Sequence, residues 1–232
     1  MTTVRRELTQ GQWLEALGVD PFWIVDEQPA VKPVVPAISC SDPLTRQDLA
    51  SVEAAIKSCK QCSLARHRKQ AVPGSGDQSA KWLLVGEAPG VDEDRAGQPF
   101  VGQSGKLLDA MLAALDLKRD QGVYLSNAVK CHPEDNRTPT TDEIDLCNGY
   151  LNQQIAQIQP KVILALGRSA AYAVLGQEAS IQTLRGAVHY RAQGEMKIPV
   201  VVTYHPAYLL REPAEKWKTW QDLLLARKAI NA

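Results

Sequence analysis

Five cysteines stand in 232 residues, and their spacing narrows what they can do. Cys59 and Cys62 form a C-x2-C pair at the end of a helical pattern. Cys131 and Cys147 follow after 68 intervening residues as a C-x15-C pair. The number is too small, and odd, for a disulfide scaffold. The stretch from Met1 to Trp13 has no apolar run of the kind an export signal needs, so a cytoplasmic location is expected. In a reducing compartment grouped cysteines serve metals or catalysis more often than disulfides. C-x2-C places two sulfurs on one turn, and a distant pair can complete a shell of four thiolates for zinc or for an iron–sulfur cluster. A zinc ribbon carries two such knuckles and this chain has one. Spacing alone leaves zinc, a cluster, and a plain core role for Cys147 open. Cys40 stands apart among prolines and reads as a free thiol.

Other residues with chemical potential fall in loops. Gly97 to Lys106 looks like a phosphate loop, but GxxxxGK[ST] would need Ser or Thr where Leu107 stands, so a nucleotide loop is rejected. What remains is a glycine-rich approach to a helix N-terminus. Phe100 sits there off any helical or strand period, as a loop aromatic that can fold back onto the core. Asp92-Glu93-Asp94 reads as a solvated acidic face. Asn127 closes an apolar strand, where turn-forming Asn is common. His205 lies between a strand and Pro206, where a hydrogen-bonded structural histidine is the plain alternative. Lys57, Lys60, Arg66, His67, Arg68 and Lys69 surround the first cysteine pair and form a local basic patch that suits a phosphate backbone or simply solvent.

These residues need elements to position them. Trp82–Val85, Val123–Val129, Val162–Leu166 and Val200–Tyr204 are short apolar runs that read as buried strands. Between them, Leu49, Val52, Ile56 and Cys59 keep helical spacing. So do Leu107, Leu108, Met111, Leu112 and Leu115, and likewise Ile144, Cys147, Leu151 and Ile158. Thr140-x-x-Glu143 is a capping box for the last of these. Arg168–Leu175 reads as a short helix, and Trp217, Trp220, Leu224 and Arg227 as the inward face of a final one. The resulting expectation is an α/β three-layer sandwich around a central, mostly parallel four-stranded sheet. Ligands of such folds bind beyond the carboxyl ends of the strands, where Gly86–Gly90, Asn127, Gly167–Ser169 and His205 lie.

Lys and Arg equal Asp and Glu at 26 each, so a globally basic nucleic-acid binder is excluded while a local basic groove is not. No run approaches the roughly 18 apolar residues of a membrane span. Residues 1–45 read as a separate arm. Trp13, Leu14, Leu17, Phe22, Trp23 and Ile24 make an apolar cluster, and Pro29, Pro33, Pro36 and Pro43 make a tether. The catalytic domain is then expected over residues 46–232.

Taken in order, GEAPG with Glu93-Asp94, GQPFVGQSGKLLD, NAVKCHPEDNRTPT, LALGRSAA and YHPAYLL resemble the family 4 uracil-DNA glycosylases that carry an iron–sulfur cluster. The resemblance covers about residues 50–230. It implies release of uracil from DNA, leaving an abasic site, by a monomeric enzyme. It implies a [4Fe-4S] cluster on Cys59, Cys62, Cys131 and Cys147. Phe100 matches the residue that stacks on the flipped base and Asn127 the one that reads its edge. Glu93 matches the side chain that blocks a thymine methyl, and His205 the residue beside uracil O2. Glu87 and Ala88 follow the first strand. Ala88 stands where other uracil glycosylases keep a water-positioning Asp, and Glu87 is left as the candidate for water. A fold of this kind that binds uracil-DNA without turnover is the alternative. The plain reading of the arm is an extra helix docked on its own domain and covering the sheet edge. The other is a tethered peptide, since Leu-x-x-Leu-Gly-x-x-x-x-Trp is similar to the N-terminal peptide of the psi subunit of bacterial DNA polymerase III, which implies a replication or repair partner for residues 1–45.

Overall fold

A computed structural model of the chain describes residues 48–194 and 196–231. The arm, its tether and Cys40 lie outside the described residues. Among those described, six strands form one sheet in the order β1-β3-β2-β4-β6-β5. The strands are β1 Ser75–Gly76, β2 Trp82–Gly86, β3 Val123–Asn127, β4 Val162–Leu166, β5 Val188–Gln193 and β6 Met196–Thr203. The four expected strands are the inner, mutually parallel ones. The two edges, β1 and β5, pair antiparallel and raise the count from four to six. They escaped the apolar pattern for physical reasons. β1 is two residues long, and β5 is an edge strand whose only buried residue is Arg191.

Among the described residues, eight α-helices accompany the sheet: α1 Leu49–Ser58, α2 Val91–Ala96, α3 Gln103–Ala113, α4 Thr141–Ile158, α5 Arg168–Leu175, α6 Ile181–Leu184, α7 Pro206–Arg211 and α8 Lys216–Ile230. Successive strand residues point to opposite faces, and here both faces are apolar. Leu83, Val85, Ile163, Ala165, Val200 and Val202 pack with α4 and α5 on one side. Trp82, Leu84, Val162, Leu164, Leu166 and Val201 pack with α3 and α8 on the other. The Thr140 capping box of α4 forms as expected, with Thr140 Oγ1 accepting from the Glu143 amide and Glu143 accepting from the Thr140 amide.

The inward face of α8 differs from the expected one. Trp217 and Trp220 are 52% and 39% exposed, while Thr219, Asp222, Leu223 and Ala226 are buried. The reason is polar. Asp222 accepts from Thr203 Oγ1 at 2.8 Å, from the Arg185 guanidinium and from the Gly186 amide. A fully buried, multiply satisfied carboxylate fixes the helix rotation that hydrophobicity alone would have set differently. It also ties α8 to the end of β6, two residues before His205.

Candidate active site

Gly86 is the last residue of β2 and pairs in register with Asn127, the last of β3. A Cβ on Gly86 would lie 2.5 Å from Phe100 Cζ and would overlap Asn127 Oδ1. The bare glycine backbone is thus the surface on which an aromatic ring and a side-chain amide meet. Phe100 reaches it from the loop between α2 and α3, with φ at 55°, a left-handed conformation uncommon for a bulky residue. Its ring is buried and stacks on the His205 imidazole, centroids 5.9 Å apart and planes 27° apart. The plain reading of Phe100 holds, since it joins the apolar core, and the ring also faces His205. His205 follows β6 and caps α7. Behind it, Gly167 at the end of β4 has φ of 95°, and a Cβ there would touch His205 Cβ at 3.4 Å. Phe100, Asn127 and His205 therefore converge at the carboxyl ends of the parallel strands.

The histidine is held neutral. Burial pulls its pKa down to about 4, the Arg211 charge adds to that, and Glu93 opposes it. Nδ1 accepts the Ala207 amide at 3.2 Å. A neutral imidazole with Nδ1 accepting carries its proton on Nε2, so that nitrogen is a donor. Asn127 is 2% exposed, and its Oδ1 lies against the bare face of Gly86.

The acidic run is not a solvated face. Only Asp92 faces solvent; Glu93 and Asp94 are buried. Glu93 Oε1 accepts from the amides of Val101 and Gly102 at 2.9 and 3.0 Å, and Oε2 accepts from Gly90 at 3.0 Å. Asp94 accepts from the Lys69 amide through both oxygens. Glu87 is half-buried just past β2, and Ser169 Oγ donates to its Oε2 at 2.7 Å. Ala88 is half-buried and packs against the core. Ser169 also lines a neighbouring cavity of about 360 Å³ with Thr138, Arg168 and Tyr172.

Cys59, Cys62, Cys131 and Cys147 line one pocket with Ile56, Arg68, Lys130 and Tyr150. Residues 59 and 62 follow α1, 131 lies beyond β3, and 147 is on α4. Among the described residues, no three His, Cys, Asp or Glu side chains converge closely enough to hold a single metal ion. Burial pushes the Cys131 thiol up, against the pull of Arg68, and Cys147 up to about 11, against the pull of Lys130. Arg68 is turned inward. It donates to Cys131 Sγ at 2.8 Å and to the carbonyls of Lys57 and Cys59, so it leaves the basic patch that Lys57, Lys60, Arg66, His67 and Lys69 keep exposed.

Lys130, between the two sites, carried no role in the sequence reading. It is 1% exposed and its Nζ donates to Ser126 Oγ, the Asn127 carbonyl and Gln154 Oε1 at 2.6, 2.7 and 2.8 Å. Burial pulls its pKa down to about 8, and the Cys147 and Cys131 charges push back. The signal in the sequence was a lysine directly after the apolar run Val123–Val129 and immediately before a cysteine.

The family model of the uracil DNA glycosylase superfamily matches residues 73–224. A type-4 uracil-DNA glycosylase of Pyrobaculum aerophilum is 40% identical over 182 residues, covering 77% of this chain and 92% of the relative. Type-4 enzymes of Archaeoglobus fulgidus and Sulfurisphaera tokodaii are 42% and 44% identical, covering 68% and 71% of this chain and 81% and 77% of theirs. The matched segment contains β2 through most of α8, and with them Gly86, Phe100, Asn127 and His205. The chain belongs to the uracil DNA glycosylase superfamily and, within it, to the type-4 uracil-DNA glycosylases.

Proposed function

We propose that the protein flips deoxyuridine out of DNA and hydrolyses its N-glycosidic bond, releasing uracil and leaving an abasic site. The observation that carries this reading is the meeting of the Phe100 ring, the Asn127 amide and the neutral His205 over Gly86. A flipped base loses its stacking neighbours, and Phe100 replaces one of them, a contact worth roughly 1–3 kcal/mol that does not distinguish bases. Asn127 does distinguish them. Its carbonyl accepts from uracil N3–H and its amide donates to O4. Cytosine inverts both groups and would leave buried polar atoms unpaired.

As the C–N bond lengthens, uracil gathers negative charge. His205 Nε2–H beside O2 donates to that charge more strongly in the transition state than in the ground state. The imidazole does so without giving up its proton. No Asp occupies position 88, so a largely dissociative cleavage is expected, with a cationic sugar balanced by the departing anion and the DNA phosphates. Glu87, whose Oε2 accepts from Ser169 Oγ, would orient the attacking water. The buried Glu93 would exclude a 5-methyl group by shape.

Four thiols lining one pocket are the donor set that a [4Fe-4S] cluster takes. Cys59, Cys62, Cys131 and Cys147 would hold a [4Fe-4S] cluster. Such a cluster would serve as a structural clasp that fixes the Cys59–Lys69 segment and its exposed basic side chains against the DNA backbone. Residues 46–232 form the glycosylase domain in this reading, acting as a monomer. Residues 1–45 would be a tethered arm that recruits a replication or repair protein. No described helix is long and apolar enough to cross a membrane.

The test uses oligonucleotides carrying one uracil, hypoxanthine or xanthine, incubated with the purified protein and cleaved with alkali. A strand break at uracil with free base released is the expected outcome. Retention of uracil-DNA without release of base would instead identify a binder that does not turn over.

A further inference from the structure

Arg119 lies in the connection between α3 and β3, outside the substrate pocket and outside the sequence motifs. Its guanidinium is nevertheless divided between the Phe100 loop and the α3 residues that follow it. Nη2 donates to the Phe100 carbonyl at 2.6 Å and to the Gly105 carbonyl at 3.2 Å, Nη1 donates to the Pro99 carbonyl at 3.2 Å, and Nε pairs with Asp109 at 2.5 Å. From the other side, Glu93 accepts the next two amides of the same loop, Val101 and Gly102. Carbonyls on one side and amides on the other are thus gripped by opposite charges around Phe100, whose φ of 55° needs the surroundings to hold it. Gly105 completes the arrangement. A side chain there would overlap the Phe100 carbonyl, so only glycine lets the loop press onto the first turn of α3.

We propose that Arg119 is a positioning residue for base capture: it acts through Phe100, locking the strained loop so that the ring is already in stacking geometry before the base arrives. The planar fork is what the site requires. Lysine offers a point charge that cannot bridge three carbonyls and a carboxylate at once. The inference rests on the reading of Phe100 as the stacking residue.

A double-variant cycle separates the two claims. Single-turnover excision is measured for Arg119→Gln, Arg119→Lys, Phe100→Ala and Phe100→Ala combined with Arg119→Gln, with thermal midpoints recorded alongside. A loose platform should cost roughly 10- to 100-fold, the scale of small misplacements near a reacting centre. Arg119→Gln is therefore expected to slow excision by about that factor, and Arg119→Lys to recover little of it. In the Phe100→Ala background, the Arg119 change should alter the rate less than about twofold, because the part it holds is gone. Independent, multiplying losses would overturn the role of Arg119 while leaving Phe100 as the stacking residue. A Phe100→Ala variant with the wild-type rate would overturn both. An Arg119→Gln variant that melts much earlier yet excises normally where folded would reduce Arg119 to a stabilising residue.

Discussion

Gly86 shows most directly how a residue without a side chain defines this site. Adding one methyl at this position places an atom 2.5 Å from Phe100 Cζ and on top of Asn127 Oδ1, and neither neighbour can retreat, being buried. Gly86→Ala is expected to displace ring or amide and to slow uracil excision by roughly 100-fold, in the range found when one preorganised contact is lost. The far-ultraviolet circular dichroism should stay that of the wild type. The protonation state of His205 gives a second expectation. Its pKa of about 4 lies below the ordinary 6.5, so the unfolded chain binds more protons between those values. Stability from this residue is therefore complete above about pH 6.5 and is lost as pH falls towards 4. The excision rate should show no ionisation of His205 between about pH 5 and about pH 9. Chemical denaturation from pH 7 to 4, wild type against His205→Gln, measures the first part. A rate profile with an inflection near 6.5 would contradict the second.

At the scale of elements, the segment from α2 to α3 carries the recognition loop, and Glu93 is its hinge pin. Two duties meet in one carboxylate: its bulk would exclude a 5-methyl group, and its oxygens hold three backbone amides. Glu93→Ala is accordingly expected to release some thymine from T·G pairs and also to lower the uracil rate, because Val101 and Gly102 lose their acceptor. Unchanged uracil excision with strict exclusion of thymine would assign Glu93 to neither duty. How legible these elements were depended on how they are buried. The inner strands are covered on both faces and so read as apolar runs. β5 buries only Arg191, and α8 turns Trp217 and Trp220 outward because Asp222 must face in. The motifs drew attention to Phe100, Asn127, Glu93 and His205. Arg119, which holds the Phe100 loop, and Lys130, which donates to the Asn127 carbonyl, drew no role because such hydrogen bonds leave no periodic signal in the sequence.

At the scale of the whole fold, the cysteine pocket gathers residues from beyond α1, beyond β3 and within α4. Cys59 and Cys62 follow α1, Cys147 sits within α4, and Cys131 follows β3, so a group bound there would staple segments far apart in the chain. Protein prepared without oxygen is expected to hold four iron and four sulfide per chain, and single Cys→Ser changes at 59, 62, 131 or 147 should lower both. Stoichiometric zinc in place of iron would refute the cluster. The near side of that pocket also communicates with the base site, since Lys130 lies among the thiols and donates to the Asn127 carbonyl. The central claim is that three side chains gathered over Gly86 remove uracil from DNA. Its most direct measurement is the chromatographic yield of free uracil, under single-turnover conditions, for wild type, Asn127→Ala and His205→Ala. Each variant should keep its fold and lose on the order of 10²–10³ in rate, the usual cost of one preorganised donor. Near wild-type release by both variants would contradict the account.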